Sequence, residues 1–137
     1  EGFPMYGQSI GIDSENLTGL ISRIKQGLPV SSLTRLSKQL GVPEKRLLVV
    51  ANIPQRTLTR RKKEGRFKPD ESERVLRLAR LYEQAMKVFK RKESVQQWFQ
   101  SSVKGLGGRT PLEFADTEPG AQEVEDMLGR IADGVFY

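Results

Sequence analysis

Hydrophobic residues recur every three or four positions along most of the chain, a spacing that predicts amphipathic helices. A first short helix is predicted after Asp13 or Ser14, either of which suits an N-cap, and it ends at Gly27. Its inward stripe consists of Leu17, Leu20, Ile21 and Ile24. Residues 1–12 show no sustained period and contain three glycines and a proline, which favours a flexible N-terminal arm.

The middle of the chain predicts two short helices separated by a brief turn. The stretch PEKRLLVVAN, residues 43–52, starts with proline and has an apolar inward face. Asn52 suits the left-handed position after a helix, and the residue before Pro54 resists helical backbone angles. A second helix then runs from Pro54 to Gly65. Upstream, before Gly41, another helical stripe is formed by Leu33, Leu36 and Leu40.

Beyond these two helices, the spacing predicts a long amphipathic helix from Asp70 to about Lys92. A short helix follows, with Ser94 as its cap. Residues 101–108, SSVKGLGG, then favour a flexible junction.

The C-terminal part begins with a capping box, because Thr110 and Glu113 flank a proline at the first helical position. Residues 116–119 start a last helix, whose apolar face consists of Val124, Met127, Leu128 and Ile131. No stretch of the chain alternates as a strand does. The predicted fold is therefore all-α.

Composition narrows the possible chemistry. The chain has no cysteine and no histidine, so thiolate or histidine metal sites and Ser-His or Cys-His catalytic pairs cannot form. The carboxylates Glu123, Glu125 and Asp126 are spaced as an exposed helix face rather than as a paired acid and base. We therefore expect no enzyme and no cofactor. No apolar run approaches the roughly 20 residues that span a bilayer, which favours a cytoplasmic protein without a membrane partner.

The net charge of +6 is unevenly distributed. Residues 29–92 carry eighteen Lys and Arg against six Asp and Glu, an excess of twelve positive charges. Residues 93–137 carry three against eight, an excess of five negative charges. The middle of the chain is thus suited to a polyanion such as nucleic acid, and the part after it is not.

The two central helices have the anatomy of a helix-turn-helix, with Leu58 as the inward anchor of the second. Arginine can pair with guanine and glutamine with adenine in the major groove, while later cations suit phosphates. The predicted DNA-binding residues are Gln55, Arg56, Thr59, Arg60, Lys62, Lys63 and Arg66. A helix that is basic only for solubility is the alternative. Half-site readers of this size usually act in pairs, so a homodimer on operator DNA is expected.

The sequence from Leu106 onward resembles the C-terminal toxin-binding domain of Xre/MbcA/ParS-type antitoxins. The resemblance rests on LGG-x-x-P-L at residues 106–112 and LGRI-x-x-GV at residues 128–135. R-T-L-x-R-R at residues 56–61 and E-S-x-R-x-x-R-L-A-R at residues 71–80 are similar to the Xre-like helix-turn-helix of the same family. Two departures are Pro54, where a Ser or Thr cap is common, and Asn52, where glycine is common.

This resemblance implies an antitoxin that binds a RES-domain toxin, an enzyme that depletes NAD, covers its active site, and represses its own operon. Together with the periodicity, it leads us to expect three segments, namely an arm at 1–12, a helix-turn-helix domain at 13–69, and a linker helix with the toxin-binding domain at 70–137. The implied toxin-binding residues are Gly129, Arg130, Ile131, Gly134 and Val135, with Phe136 and Tyr137 as their extension.

Other interpretations remain open at this point. The last three residues could pack back on Trp98 or Phe114, or on a second subunit, and Arg130 could serve only the helix dipole. The chain could also be a stand-alone dimeric transcriptional regulator whose C-terminal domain serves only dimerisation. A third possibility is a module that binds RNA or other polyanions with little sequence preference.

Overall fold

The computed structural model describes residues 6–134, and this part of the chain is built from helices. Its α-helices are α1 Leu17–Gln26, α2 Ser31–Leu40, α3 Glu44–Val50, α4 Gln55–Glu64, α5 Pro69–Phe89, α6 Lys92–Phe99, α7 Pro111–Phe114 and α8 Glu118–Ala132. Single-turn 3-10 helices lie at Gln8–Ile10 and Lys104–Leu106. Within the described residues there is no strand, only one isolated bridge between Pro29 and Arg66. The all-α prediction is confirmed.

The first helix differs from its prediction in its cap and in its buried face. The side chain of Asn16, rather than Asp13 or Ser14, caps α1 by accepting a hydrogen bond from the Gly19 amide at 2.8 Å. Asn16 has extended backbone angles one residue before the helix, which places its oxygen at the free amides. Leu17 and Ile21 were expected to face inward but are 43% and 41% exposed, and Leu20 is the one buried residue of α1.

Residues 6–12 are packed against the folded body, so the expectation of a flexible arm is wrong for this stretch. Ile10 and Ile12 are each only 1% exposed. The carboxylate of Glu83 on α5 accepts hydrogen bonds at 3.0 Å from the amides of Gly7 and Ser9. These contacts join residues more than 70 positions apart, which local sequence periodicity does not register.

Helix α5 is the centre of the molecule, since α1, α2, α6 and α8 all pack on it. One continuous hydrophobic core runs from the helix-turn-helix to α8 through the buried side of α5. The helix ends earlier than predicted, because Lys90 adopts a left-handed conformation with φ of 67°. Arg91, not Ser94, is the N-cap residue of α6.

The C-terminal part follows its predicted capping pattern. Thr110 Oγ1 accepts a hydrogen bond from the Glu113 amide at 3.1 Å, and Glu113 accepts one from the Thr110 amide at 3.0 Å. This backbone hydrogen bond lowers the pKa of the Glu113 carboxyl. Before it, residues 101–108 include a 3-10 turn whose Leu106 is only 2% exposed, so the expected junction contributes one buried side chain.

None of the helices within residues 6–134 combines the length and the apolar character needed to cross a membrane.

Candidate DNA-binding and partner-binding surfaces

Helices α3 and α4 form the predicted helix-turn-helix. Asn52 lies in the turn between them with φ of 56°, the left-handed conformation that the sequence suggested. Pro54 precedes α4 and provides no side-chain cap, as its chemistry dictates. Ile53 and Leu58 anchor the turn and α4 in the core, with exposures of 3% and 2%. The inward face predicted for the first helix is buried, and it comprises Leu47, Leu48, Val50 and Ala51.

The residues predicted to contact DNA are all exposed, and they are Gln55, Arg56, Thr59, Arg60, Lys62, Lys63 and Arg66. Thr59 Oγ1 donates to the Gln55 carbonyl at 3.2 Å, and Arg66 Nη1 donates to the Gly27 carbonyl at 2.8 Å. Among residues 6–134, no salt bridge involves the four cations Arg56, Arg60, Lys62 and Lys63. The outer face of α4 therefore presents uncompensated positive charge.

Arg61 belongs to the same basic run, but its side chain is buried, which the charge pattern did not predict. It is only 8% exposed, and its Nε and Nη2 donate to the two carboxylate oxygens of Glu71 at 2.8 and 3.0 Å. This hydrogen bond raises the pKa of Arg61. A signal for the burial existed, because Arg61 follows the anchor Leu58 by three positions and so shares its helix face.

Glu71 on α5 is the partner that makes this burial possible. Burial by itself raises the pKa of Glu71, but hydrogen bonds from Arg61 and from the Lys68 amide, 2.9 Å away, outweigh it and lower the pKa. The carboxylate thus stays charged while it caps α5 and pairs with α4. The end of α4 is fixed to the start of α5 by this pair.

Helix α8 buries the face that its sequence predicted, except that Ile131 is only partly covered. Its buried residues are Gly120, Ala121, Val124, Met127 and Leu128. Gly120 lies where a Cβ atom would come within 1.9 Å of the Phe114 carbonyl oxygen. Only a glycine lets the first turn of α8 approach α7 this closely.

The residues implied as toxin-binding lie at the end of α8 or beyond it. Gly129 and Gly134 are exposed, and Arg130 and Ile131 are partly exposed. A Cβ atom on Gly129 would meet nothing within 4 Å, so bare backbone faces outward there. Arg130 Nη2 donates to Glu123 at 2.9 Å. The predicted toxin-binding residues Val135, Phe136 and Tyr137 lie outside the described residues.

The two aromatic residues considered as partners for the tail have neighbours of their own. The Trp98 ring packs against Phe89 and Phe99, with ring centroids 5.6 and 5.2 Å apart. The Phe114 ring lies under the guanidinium of Arg109, 5.1 Å from its centroid.

Several acidic residues of the C-terminal part form ion pairs with arginines of the basic middle region. Arg80 Nε lies 2.9 Å from Glu125, and Arg77 Nη1 lies 3.7 Å from Glu118. Burial lowers the pKa of Arg77, so this arginine needs its carboxylate partner. The two oppositely charged segments thus neutralise one another where α5 meets α8, and fewer negative charges remain for a partner than the sequence suggested.

Comparison with known families identifies two domains in the chain. The model of the antitoxin Xre-like helix-turn-helix domain matches residues 19–80, and that of the antitoxin Xre/MbcA/ParS C-terminal toxin-binding domain matches residues 84–134. The chain is 37% identical over 131 residues to Antitoxin Xre of Yersinia enterocolitica, covering 94% of this chain and 88% of that protein. The chain belongs to the Xre/MbcA/ParS antitoxin family. The resemblance seen in the sequence is confirmed.

Two further relatives support this assignment. Antitoxin Xre of Photorhabdus laumondii is 32% identical over 130 residues, covering 93% of this chain and 88% of that protein. A Sphingobium protein named Prs ADP-ribosylating antitoxin is 31% identical over 128 residues, covering 85% of this chain and 79% of that protein. This Xre-type protein is therefore an antitoxin rather than an enzyme, with a DNA-binding head that includes α4 and a toxin-binding part that includes α8.

Proposed function

We propose that this antitoxin neutralises a RES-domain toxin that depletes NAD, by covering its active site with the end of α8 and the residues that follow. We also propose that it acts in the cytoplasm as a homodimer and represses its own operon through α4. The proposed neutralisation is supported by the exposed backbone at Gly129. This residue lies in the last turn of α8, which precedes Val135, Phe136 and Tyr137 in the sequence.

A glycine exposed within a helix costs about 1 kcal/mol relative to alanine, so a functional reason for Gly129 is needed. Close approach of another protein's surface is such a reason, because no Cβ atom stands between that surface and the helix backbone. Ile131 lies two residues further along α8, on a different side of the helix, and its partly exposed side chain offers a separate apolar contact that desolvation would strengthen. Together these features favour a shape-based interface at the end of α8.

The name of the Sphingobium relative refers to ADP-ribosylation, and we propose that this reaction belongs to the toxin of the pair. ADP-ribosyl transfer consumes NAD. A toxin that depletes NAD and a toxin that transfers ADP-ribose would therefore each need a cleft that binds this dinucleotide. Measuring cellular NAD and protein-bound ADP-ribose after toxin induction distinguishes the two chemistries.

The proposed neutralisation of the toxin is tested by co-expressing the antitoxin with a RES-domain toxin encoded next to it. Wild-type antitoxin should restore growth and co-purify with the toxin. Deletion of residues 135–137 should abolish rescue, and this deletion spares Leu128, which is only 2% exposed and belongs to the core. Full rescue by the shortened chain would remove the last three residues from the mechanism.

Gly129→Arg is a second, sharper variant, because the added side chain meets no atom of the described chain within 4 Å of its Cβ. It should fold normally yet fail to bind the toxin. Gln122→Arg places the same side chain on an exposed position of the same helix and should still rescue growth. Loss of rescue by both variants would point to a general effect of charge rather than to close approach at Gly129.

The proposed repression rests on the cations of α4 that form no salt bridge among the described residues. It predicts that the purified antitoxin binds the DNA upstream of its own gene more tightly than unrelated DNA at the same salt concentration. A stand-alone transcriptional regulator would show the same operator binding but no complex with a toxin. A general polyanion binder would show comparable affinity for all sequences.

A further inference from the structure

The run E-S-x-R-x-x-R-L-A-R, residues 71–80, contains no residue that we propose to touch DNA or toxin. In the structure most of its polar side chains bind other elements of the same chain. Glu71 pairs with Arg61 of α4, and Ser72 Oγ accepts a hydrogen bond from the Leu28 amide at 2.8 Å. The start of α5 is thus attached to the helix-turn-helix by side chains rather than by apolar packing alone.

Arg74, one turn further along α5, binds the turn of the helix-turn-helix itself. Its Nε donates to the Ala51 carbonyl at 2.7 Å, and its Nη2 lies 3.5 Å from the Asn52 carbonyl. Apart from hydrogen bonds inside the helices, no backbone amide of residues 6–134 donates to the carbonyl oxygen of Ala51 or of Asn52. These are carbonyls at the end of α3, which need a donor from elsewhere. Asp70 lies 3.6 Å from Arg74 Nη1 and orients the guanidinium.

We propose that Arg74 is a positioning residue for α4, which fixes the turn and thereby the angle at which α4 meets the DNA groove. The inference rests on the proposed function, since it concerns operator reading by α4. Two local features make the turn dependent on Arg74. Asn52 has φ of 56°, a conformation that costs energy for a residue other than glycine, and α4 begins after Pro54 without a side-chain cap.

Loosening the turn affects specific and nonspecific DNA binding differently. Hydrogen bonds to base edges are short and directional, so a small tilt of α4 breaks them. Phosphate contacts depend mainly on charge and tolerate such a tilt. A positioning residue therefore changes the preference for operator over other DNA, whereas a residue that binds phosphate changes both affinities together.

Arg74→Lys tests this role, because lysine keeps the charge but cannot reach two carbonyls with a planar fork. The probes are a duplex of about 40 base pairs from immediately upstream of the antitoxin gene, long enough for two half-sites, and a shuffled duplex of the same composition. Operator affinity should fall roughly tenfold, the equivalent of one lost base contact. Affinity for the shuffled duplex should change less than about twofold, because the charge is kept. Arg91→Lys, on an exposed residue before α6, should change neither.

Each outcome bears on a different claim. An unchanged operator preference in Arg74→Lys, or an equal loss on both duplexes, overturns the positioning role. Absence of any operator preference in the wild-type protein instead overturns the proposed function, and the positioning role with it. If Arg74→Lys does not fold, Asp70→Asn serves as the second variant, because the Asp70 side chain is 73% exposed. It should lower the ratio of operator to shuffled affinity by about twofold through a less restrained Arg74, and an unchanged ratio overturns the proposal.

Discussion

Two helices of this antitoxin, α4 and α8, expose surfaces that are built in different ways. The outer face of α4 carries cations without salt bridges among the described residues, and its inner face is anchored by Leu58 and by the buried pair of Arg61 with Glu71. The outer face of α8 includes bare backbone at Gly129, and its Glu118 and Glu125 pair with arginines of α5. The surface of α4 presents positive charge, whereas the surface of α8 allows close approach to the helix backbone.

This difference determines how readily each surface can be predicted from the sequence. A polyanion acts at long range and needs many like charges, so the basic run of residues 56–68 stands out in composition alone. A close-fitting protein partner needs shape, and a single glycine such as Gly129 leaves no compositional signal. The domain that contains α8 was therefore recognised through its motif, whereas the helix-turn-helix could be inferred from physical chemistry.

The largest expected effect separates the two glycines within α8. Gly120→Ala should destabilise the protein by about 3 kcal/mol, because its Cβ would lie 1.9 Å from a backbone oxygen and force the helix to shift. Gly129→Ala, the same change on the same helix, should instead stabilise it by about 0.5 to 1 kcal/mol. Urea unfolding monitored by circular dichroism measures both. A similar loss for the two variants would mean that Gly129 also has a packing role.

A smaller loss is expected for Glu71→Gln, which keeps the shape of the side chain but removes the charge that pairs with Arg61. The pKa of Glu71 is lowered in the folded protein, so its charge contributes stability above the ordinary carboxyl pKa. That contribution is lost as the pH falls through the folded-state pKa.

The measurement is urea unfolding at neutral and at acidic pH. Wild-type protein should lose more stability on acidification than Glu71→Gln does, so the difference between the two should shrink at low pH. A constant difference between the variants across this range would mean that the pair is not the source of the loss.

Substitutions on the outer face of α4 should divide into two kinds. Arg56→Ala and Arg60→Ala should each cost about 1 to 3 kcal/mol of operator discrimination, since these residues are assigned to base edges. Lys62→Ala should weaken binding to all DNA evenly and reduce the salt dependence by about one ion. Titrations at several salt concentrations on operator and shuffled DNA distinguish these outcomes. Equal losses on every duplex for all three variants would show that the face is misassigned.

The smallest effect is expected at the ion pair on the surface of α8. Glu123→Gln should change stability by less than about 0.5 kcal/mol, because the Arg130 and Glu123 side chains are 34% and 42% exposed and solvent screens their attraction. Thermal unfolding gives this value. A loss above about 1 kcal/mol would assign the pair a structural role that surface pairs rarely have.

Local sequence patterns predicted most of the helices and the capping signals that use neighbouring residues. The capping box at Thr110, the left-handed Asn52 and the buried stripe of α8 are all present in the structure. Some local predictions were wrong, since Asn16 caps α1, Arg91 is the N-cap residue of α6 and α5 ends before Lys90. The other errors concern long-range contacts. Ile10 and Ile12 follow no helical period, and their burial depends on α5, whose Glu83 is more than 70 residues away.

The candidate site shows the same division between local and long-range information. The exposed face of α4 followed from a helical wheel centred on Leu58. The pairing of Arg61 with Glu71 did not, because Glu71 is on another helix and the sequence does not show which carboxylate meets which cation. The same holds for Arg80 and Glu125, which are 45 residues apart along the chain.

The sequence by itself determined that this antitoxin is helical, has a basic DNA-binding head and contains the family's toxin-binding domain, because periodicity, charge and short motifs are local properties. Only the tertiary structure decided which charges are available to partners and which are used internally. The reason is that burial and pairing depend on distances across the core, where α5 brings together residues from both ends of the chain.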